Sequence, residues 1–231
     1  MYIYMFIQFV FIFFIGSTFG WIIELIFRRL YHKKWINPGF LVGPYLPIYG
    51  FGLVTVTGIY YALGKYEFSP IVMILLMGLC MTILELIGGE IALKNHVRLW
   101  DYRDRWGNYK GIICPLFSLI WTLVGALYYY FIAPHIEFAL EWFSQNLLFS
   151  YVLGIFSGVV VIDLFYSTKL YIKIRKYAKE NGITVKYEQL KIHIKDIQKT
   201  ALEKTSFILP FKQIGKLKEY LDDYTEKILR R

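Results

Sequence analysis

Stretches of twenty or so residues with almost no charge leave a chain few ways to fold in water, and this sequence has several. Residues 2–27 carry one charged side chain, Glu24, and residues 70–93 carry two, Glu85 and Glu90. Residues 112–133 carry none, and residues 147–171 hold Asp163 with Lys169 near the end. A weaker uncharged run, 48–64, is short and Gly-rich. A helix needs roughly 20 apolar residues to cross about 30 Å of hydrocarbon, so the pattern predicts about five spans, four of them strong. The mean hydropathy of +0.45 agrees. The expected fold class is therefore all-α: a polytopic helical membrane domain over 1–171, followed by a cytoplasmic tail over 172–231.

The first span lacks a basic leader and a small-residue cleavage site, so it reads as a retained helix rather than a signal peptide. Arg28, Arg29, Lys33 and Lys34 follow it, and Lys94, Arg98, Arg103, Arg105 and Lys110 lie between spans three and four. The opposite loops hold Lys65 alone, with Glu137 and Glu141 after span four. Basic loops stay in the cytoplasm, which predicts a multi-pass cell-membrane protein with its N-terminus outside and its tail inside.

The tail is a different material, with 15 Lys/Arg against 8 Asp/Glu from Ile172 onward. Span five is expected to continue as a helix to about Glu180 and stop at Asn181-Gly182. Helical spacing recurs from Val185 to Lys204 and again at Phe211, Ile214, Leu217, Leu221, Tyr224 and Ile228. Such amphipathic helices either pack on each other or on a partner, or lie on anionic headgroups. Nucleic acid is a poor fit for a membrane-tethered tail that also carries acids.

Between the first two spans runs NPGFLVGPYLPIYG, residues 37–50, which is oily, uncharged and broken by three prolines and three glycines. Proline donates no amide hydrogen bond and disfavours helix in the residue before it. Backbone groups left unpaired in hydrocarbon cost several kcal/mol each, so such a segment must be buried in protein or line a wet cavity. It either turns the chain before span two or offers free carbonyls and amides to a polar ligand.

The chain repeats this design. Glu24, Arg28, Asn37, Gly39, Pro44 and Pro47 are echoed by Glu85 or Glu90, Arg98, Asn108, Gly111 and Pro115, which suggests two parallel helix–broken loop–helix units. Glu85 and Glu90 compete for the place of Glu24. Acids inside a span tend to face a cavity or a basic partner. Glu24 and Glu90 lie near the basic loops, with Arg28 or Arg98 as expected partners, whereas Glu85 and Asp163 are harder to account for as ion pairs, although Lys169 lies less than two turns from Asp163. In loop two, Trp100, Asp101 and Tyr102 either anchor at headgroup level, order the loop through Asp101 with Arg98 or Arg105, or supply a carboxylate for chemistry. No zinc spacing, nucleophile elbow or nucleotide-binding P-loop occurs, so no cofactor or metal is expected. Cys80 and Cys114 are expected to be free.

The runs GWIIE (20–24), NPGFLVGPYLPIYGFG (37–52), LELIGGE (84–90), LWDYRD (99–104) and GIICP (111–115) together resemble the "putative ABC-transporter type IV" permease family of CmpB-like bacterial membrane proteins. The resemblance covers about residues 15–125. Pro38 departs from it, since that pattern carries a basic residue there. By motif it marks Glu24, Asn37, Gly39, Pro44, Pro47, Tyr49, Gly50, Glu85, Trp100, Asp101, Tyr102 and Gly111. The resemblance implies a transporter membrane subunit in the bacterial inner membrane, served by a separate ATPase, in which two copies could form one pore. The competing expectation from the residues is a lipid-handling protein or enzyme with a polar site at the cytoplasmic leaflet. A scaffold whose tail recruits partners is the third.

Overall fold

A computed structural model describes residues 2–66, 68–200 and 216–229. The order is α1 (Tyr2–His32), α2 (Pro47–Gly64), α3 (Pro70–Lys94), β1 (Val97–Arg98), α4 (Pro115–Leu127), a π-helical turn (Tyr128–Ile132), α5 (Ala133–Gln145), α6 (Phe149–Glu180), β2 (Val185–Lys186), α7 (Tyr187–Thr200) and α8 (Leu217–Tyr224). Four helical stretches are long and apolar enough to cross a membrane: Met5–Tyr31, Pro70–Lys94, Pro115–Gln145 and Phe149–Glu180. None of the most apolar stretch of α6 is buried inside the protein. Apolar surface on that scale suits hydrocarbon rather than water. The fold is that of an all-α polytopic membrane protein.

Helix α2 is 18 residues long and packs between α1 and α3. It fits α1 through small residues. A Cβ on Gly16 would lie 2.7 Å from Leu53 Cβ and 2.8 Å from the Tyr49 carbonyl, and one on Gly50 would meet the Phe13 carbonyl at 2.6 Å. Gly78 and Gly125 do the same for α3 against α4, where Thr122 and Met77 fill the space. Behind these contacts, Ile12, Val56, Met77, Met81, Tyr128, Ala133 and Ile136 form the membrane core.

One boundary differs from expectation. Pro134 and the acids Glu137 and Glu141 suggest that span four ends near 133, yet the helix runs on to Gln145. Proline inside a helix clashes with the carbonyl four residues back, here Tyr130. The π turn at Tyr128–Ile132 widens the backbone at that point and lets the helix continue.

The tail packs on itself and on the end of α6. Leu170, Ile174, Tyr177 and Ala178 from α6 join Leu190 and Ile194 of α7 and Leu217, Leu221 and Tyr224 of α8 in a second core. The apolar stripes of α7 and α8 are therefore covered by protein, the first of the two expected arrangements. Helix α6 ends as expected, with Gly182 at φ +62° and bonds from Gly182 N to Lys179 O and Ile183 N to Ala178 O, a Schellman cap. Phe211 and Ile214 of the last helical pattern, and residues 201–204 of the one before it, lie outside the described residues. Strand β2 then pairs in parallel with β1, Val97 opposite Val185, and so ties the tail to the loop between α3 and α4.

Candidate functional site

The broken segment folds back along α1. Leu46 N donates to Ser17 O at 2.9 Å, and Ser17 lies about 20 Å along the helix from its end at His32. Two of the backbone amides expected to be unpaired here are satisfied by one carboxylate. Asp163 of α6 accepts from Val42 N at 3.1 Å, Gly43 N at 2.7 Å, Tyr45 Oη at 2.6 Å and Ser167 Oγ at 2.8 Å. Its role is to clamp the loop rather than to pair with Lys169. Asn37 closes the other end, taking Trp21 Nε1 at 2.6 Å and donating to Val42 O at 2.7 Å and Leu41 O at 3.3 Å.

The tail reaches this loop as well. Lys191 of α7 is 6% exposed and donates to Asn37 O at 2.9 Å and Gly39 O at 2.6 Å. The two carbonyls flank Pro38, so the amine of a lysine from a distant helix stands beside that position. Lys34 pairs with Asp196, Lys195 donates to Trp35 O, and Arg28 bridges Glu24 and Glu188.

Burial, aided by the nearby Arg28 and only partly offset by Glu188, lowers Lys191 from the ordinary lysine range to about 7. Between pH 7 and the usual value near 10.5, a released tail holds a proton that the docked tail does not. Docking should therefore strengthen as pH rises through that window, by up to about tenfold in equilibrium constant per unit, and level off below it. Neutral lysine keeps two N–H donors for the two carbonyls. Hydrogen-exchange protection of α7, corrected for intrinsic rate, should be higher at pH 9 than at pH 7, and Lys191→Met should flatten the difference.

Helices α1 to α4, the loops that follow α1 and α3, and α7 line a cavity of about 670 Å³. Glu85, 3% exposed, stands in its wall and accepts from Tyr102 Oη at 2.8 Å and Trp121 Nε1 at 3.0 Å. Glu24 accepts from Tyr49 Oη at 3.1 Å and pairs with Arg28 at 2.9 Å, as expected. In each unit a carboxylate on the first helix therefore holds an aromatic side chain on the second. Tyr49 and Trp121 then meet edge to face, 5.8 Å apart. This makes Glu85 the counterpart of Glu24. Glu90 lies outside the cavity, bound to Lys110 at 2.7 Å rather than to Arg98.

A family model described as "Putative ABC-transporter type IV" matches residues 11–168. The chain belongs to that family. No curated protein and no solved structure matches it.

Of the residues that sequence reasoning marked, Glu24, Asn37, Gly39, Pro47, Tyr49, Glu85, Trp100 and Tyr102 line the cavity of this ABC-transporter-like protein. Gly50 faces α1, Pro44 is exposed, and Asp163 clamps the loop from outside. Gly111 turns loop two at φ +69°. Arg98, 3.6 Å from Asp101, and Asp101 itself belong to a surface cluster with Arg103 and Lys186, each 2.8–2.9 Å from Asp101. Of the two partners expected for Asp101, Arg98 is found and Arg105 is not, and Arg103 and Lys186 join it. Partial burial works against the Asp101 charge, but the hydrogen bonds from Arg103 and Lys186 outweigh it and hold its carboxyl below the usual range. The tail side of the cavity, Tyr171, Tyr187, Glu188 and Lys191, falls beyond the matched residues. Lys191 carried a readable signal, since it shares a helical stripe with Tyr187, Leu190 and Ile194 where a solvated lysine does not belong.

Proposed function

We propose that this chain is the permease subunit of a transporter, inserted in the cell membrane with its N-terminus outside and its tail in the cytoplasm. The observation that carries the reading is the cavity: a chamber large enough for a small molecule, built where the two helix–loop–helix units meet. Family membership supports a transporter context. The sequence carries no nucleotide-binding motif, so the proposal includes a separate ATPase that docks on the basic loops and tail.

Gentle extraction in native lipids followed by mass spectrometry tests this directly. A stoichiometric ATPase subunit whose turnover depends on this chain is the expected result. A chain that functions without any such subunit would remove the permease role. A second reading, a lipid-handling protein, is favoured by the gathering of polar groups at the tail end of the membrane helices. Glu85→Gln and Asp101→Asn separate the two, because unchanged cellular lipid composition in both variants argues against lipid chemistry.

A further inference from the structure

Among the described residues, the cavity is lined by three acidic side chains, Glu24, Glu85 and Glu188, and two basic ones, Arg28 and Lys191. Arg28 is held between Glu24 and Glu188, and Lys191 is directed at the two loop carbonyls. Glu85 has no basic partner among the described residues. Both of its oxygens accept from neutral donors, Tyr102 and Trp121, an arrangement that suits the ionised form. Leaving a buried charge without a partner is strongly unfavourable, and here a buried carboxylate stands with no base beside it among the described residues, so an ionised Glu85 calls for a cation from outside.

The surroundings define that cation. Besides Tyr102 and Trp121, the indole of Trp100 overhangs Gly88, one turn beyond Glu85 on the same helix face, where an added Cβ would sit 3.6 Å from the ring. Aromatic walls around a carboxylate favour ammonium groups, whose charge is attracted to ring faces and whose carbon substituents tolerate a dry site. Next to this polar end, Ile87 and Ile91 of α3 line the cavity and are 51% and 58% exposed. They lie on a helix long and apolar enough to span a membrane, so the cavity opens sideways toward lipid.

From these observations we infer that the cavity takes an amphipathic ammonium compound from the membrane leaflet, its cationic head beside Glu85 and its alkyl chain leaving past Ile87 and Ile91. This rests on the same cavity as the permease reading but names its substrate class. It can stand or fall without the ATPase.

The test is binding of dodecyltrimethylammonium, below its micellar concentration, to the full chain in nanodiscs of neutral lipid, with empty discs subtracted. Tryptophan fluorescence reports occupancy through Trp100 and Trp121. The expected result is saturable binding, weakened about tenfold or more by Glu85→Gln and by Gly88→Leu, which fills the floor beneath Trp100. Both variants should keep the thermal unfolding profile of the parent closely enough to show an intact fold, and Gly88→Ala serves as the milder variant if leucine does not. Equal binding of dodecanol, or binding unchanged in Glu85→Gln, would leave only an apolar groove and overturn the inference. Equal competition by tetramethylammonium would also overturn it, by placing the ligand source in water. Loss of binding with an ATPase still co-purifying would retire the substrate class and keep the permease. Binding without any ATPase would do the reverse.

Discussion

Asp163→Ala is expected to destabilise the protein by about 3 kcal/mol or more, although no ion pair is broken. Asp163 is the acceptor for two loop amides and the Tyr45 hydroxyl. Without it, those donors face an apolar region where water cannot replace the lost bonds. Asparagine should rescue little, because its amide group turns two donors toward a second set of donors. The effect should be local before it is global. Residues 41–46 detach from α6 first, and a cysteine placed at Val42 becomes accessible to a thiol reagent. An Asp163→Ala protein with parental melting temperature and a protected Val42 position would show that something else holds the loop.

Gly50→Leu and Gly58→Leu should differ by about 2–4 kcal/mol although both sit on α2 and both improve helix propensity. Gly50 lies against the Phe13 carbonyl and Ser17 of α1, whereas a Cβ added at Gly58 would meet nothing within 4 Å. Leucine at 50 must push α1 away from α2, since backbone cannot move aside as a side-chain tip can. The separation should also break the bond between Tyr49 and Glu24, so ligand binding should be lost along with stability. Melting curves in one detergent compare the two variants directly. Equal melting temperatures would mean the helices are not packed through glycine.

The helices were legible because nearly uncharged runs of membrane length have few other fates, and the Gly182 cap because its signal is local. The extension of the fourth span was hidden behind Pro134, whose disruption the π turn absorbs. The carboxylates were legible as unusual but not by role. Asp163 and Glu85 look alike in sequence, each an acid within an apolar helix, yet one serves backbone amides and the other faces a cavity. Which of these applies depends on contacts over a hundred residues away for Asp163, and no periodicity records such distances. The docking of α7 was the largest omission for the same reason: Lys191 and Asn37 are 154 residues apart.

The pairing of β1 with β2 has a consequence for how the protein is made. A ribosome releases the four membrane-length helices before residues 185–191, so the insertion machinery handles a bundle whose chamber is still open at one end. Only when β2 finds its partner and Lys191 reaches the loop carbonyls does the chamber gain its last wall. Insertion of the helices and closure of the cavity are thus expected to be separable steps. A chain interrupted after α6 would sit in the bilayer as an inserted but unroofed intermediate.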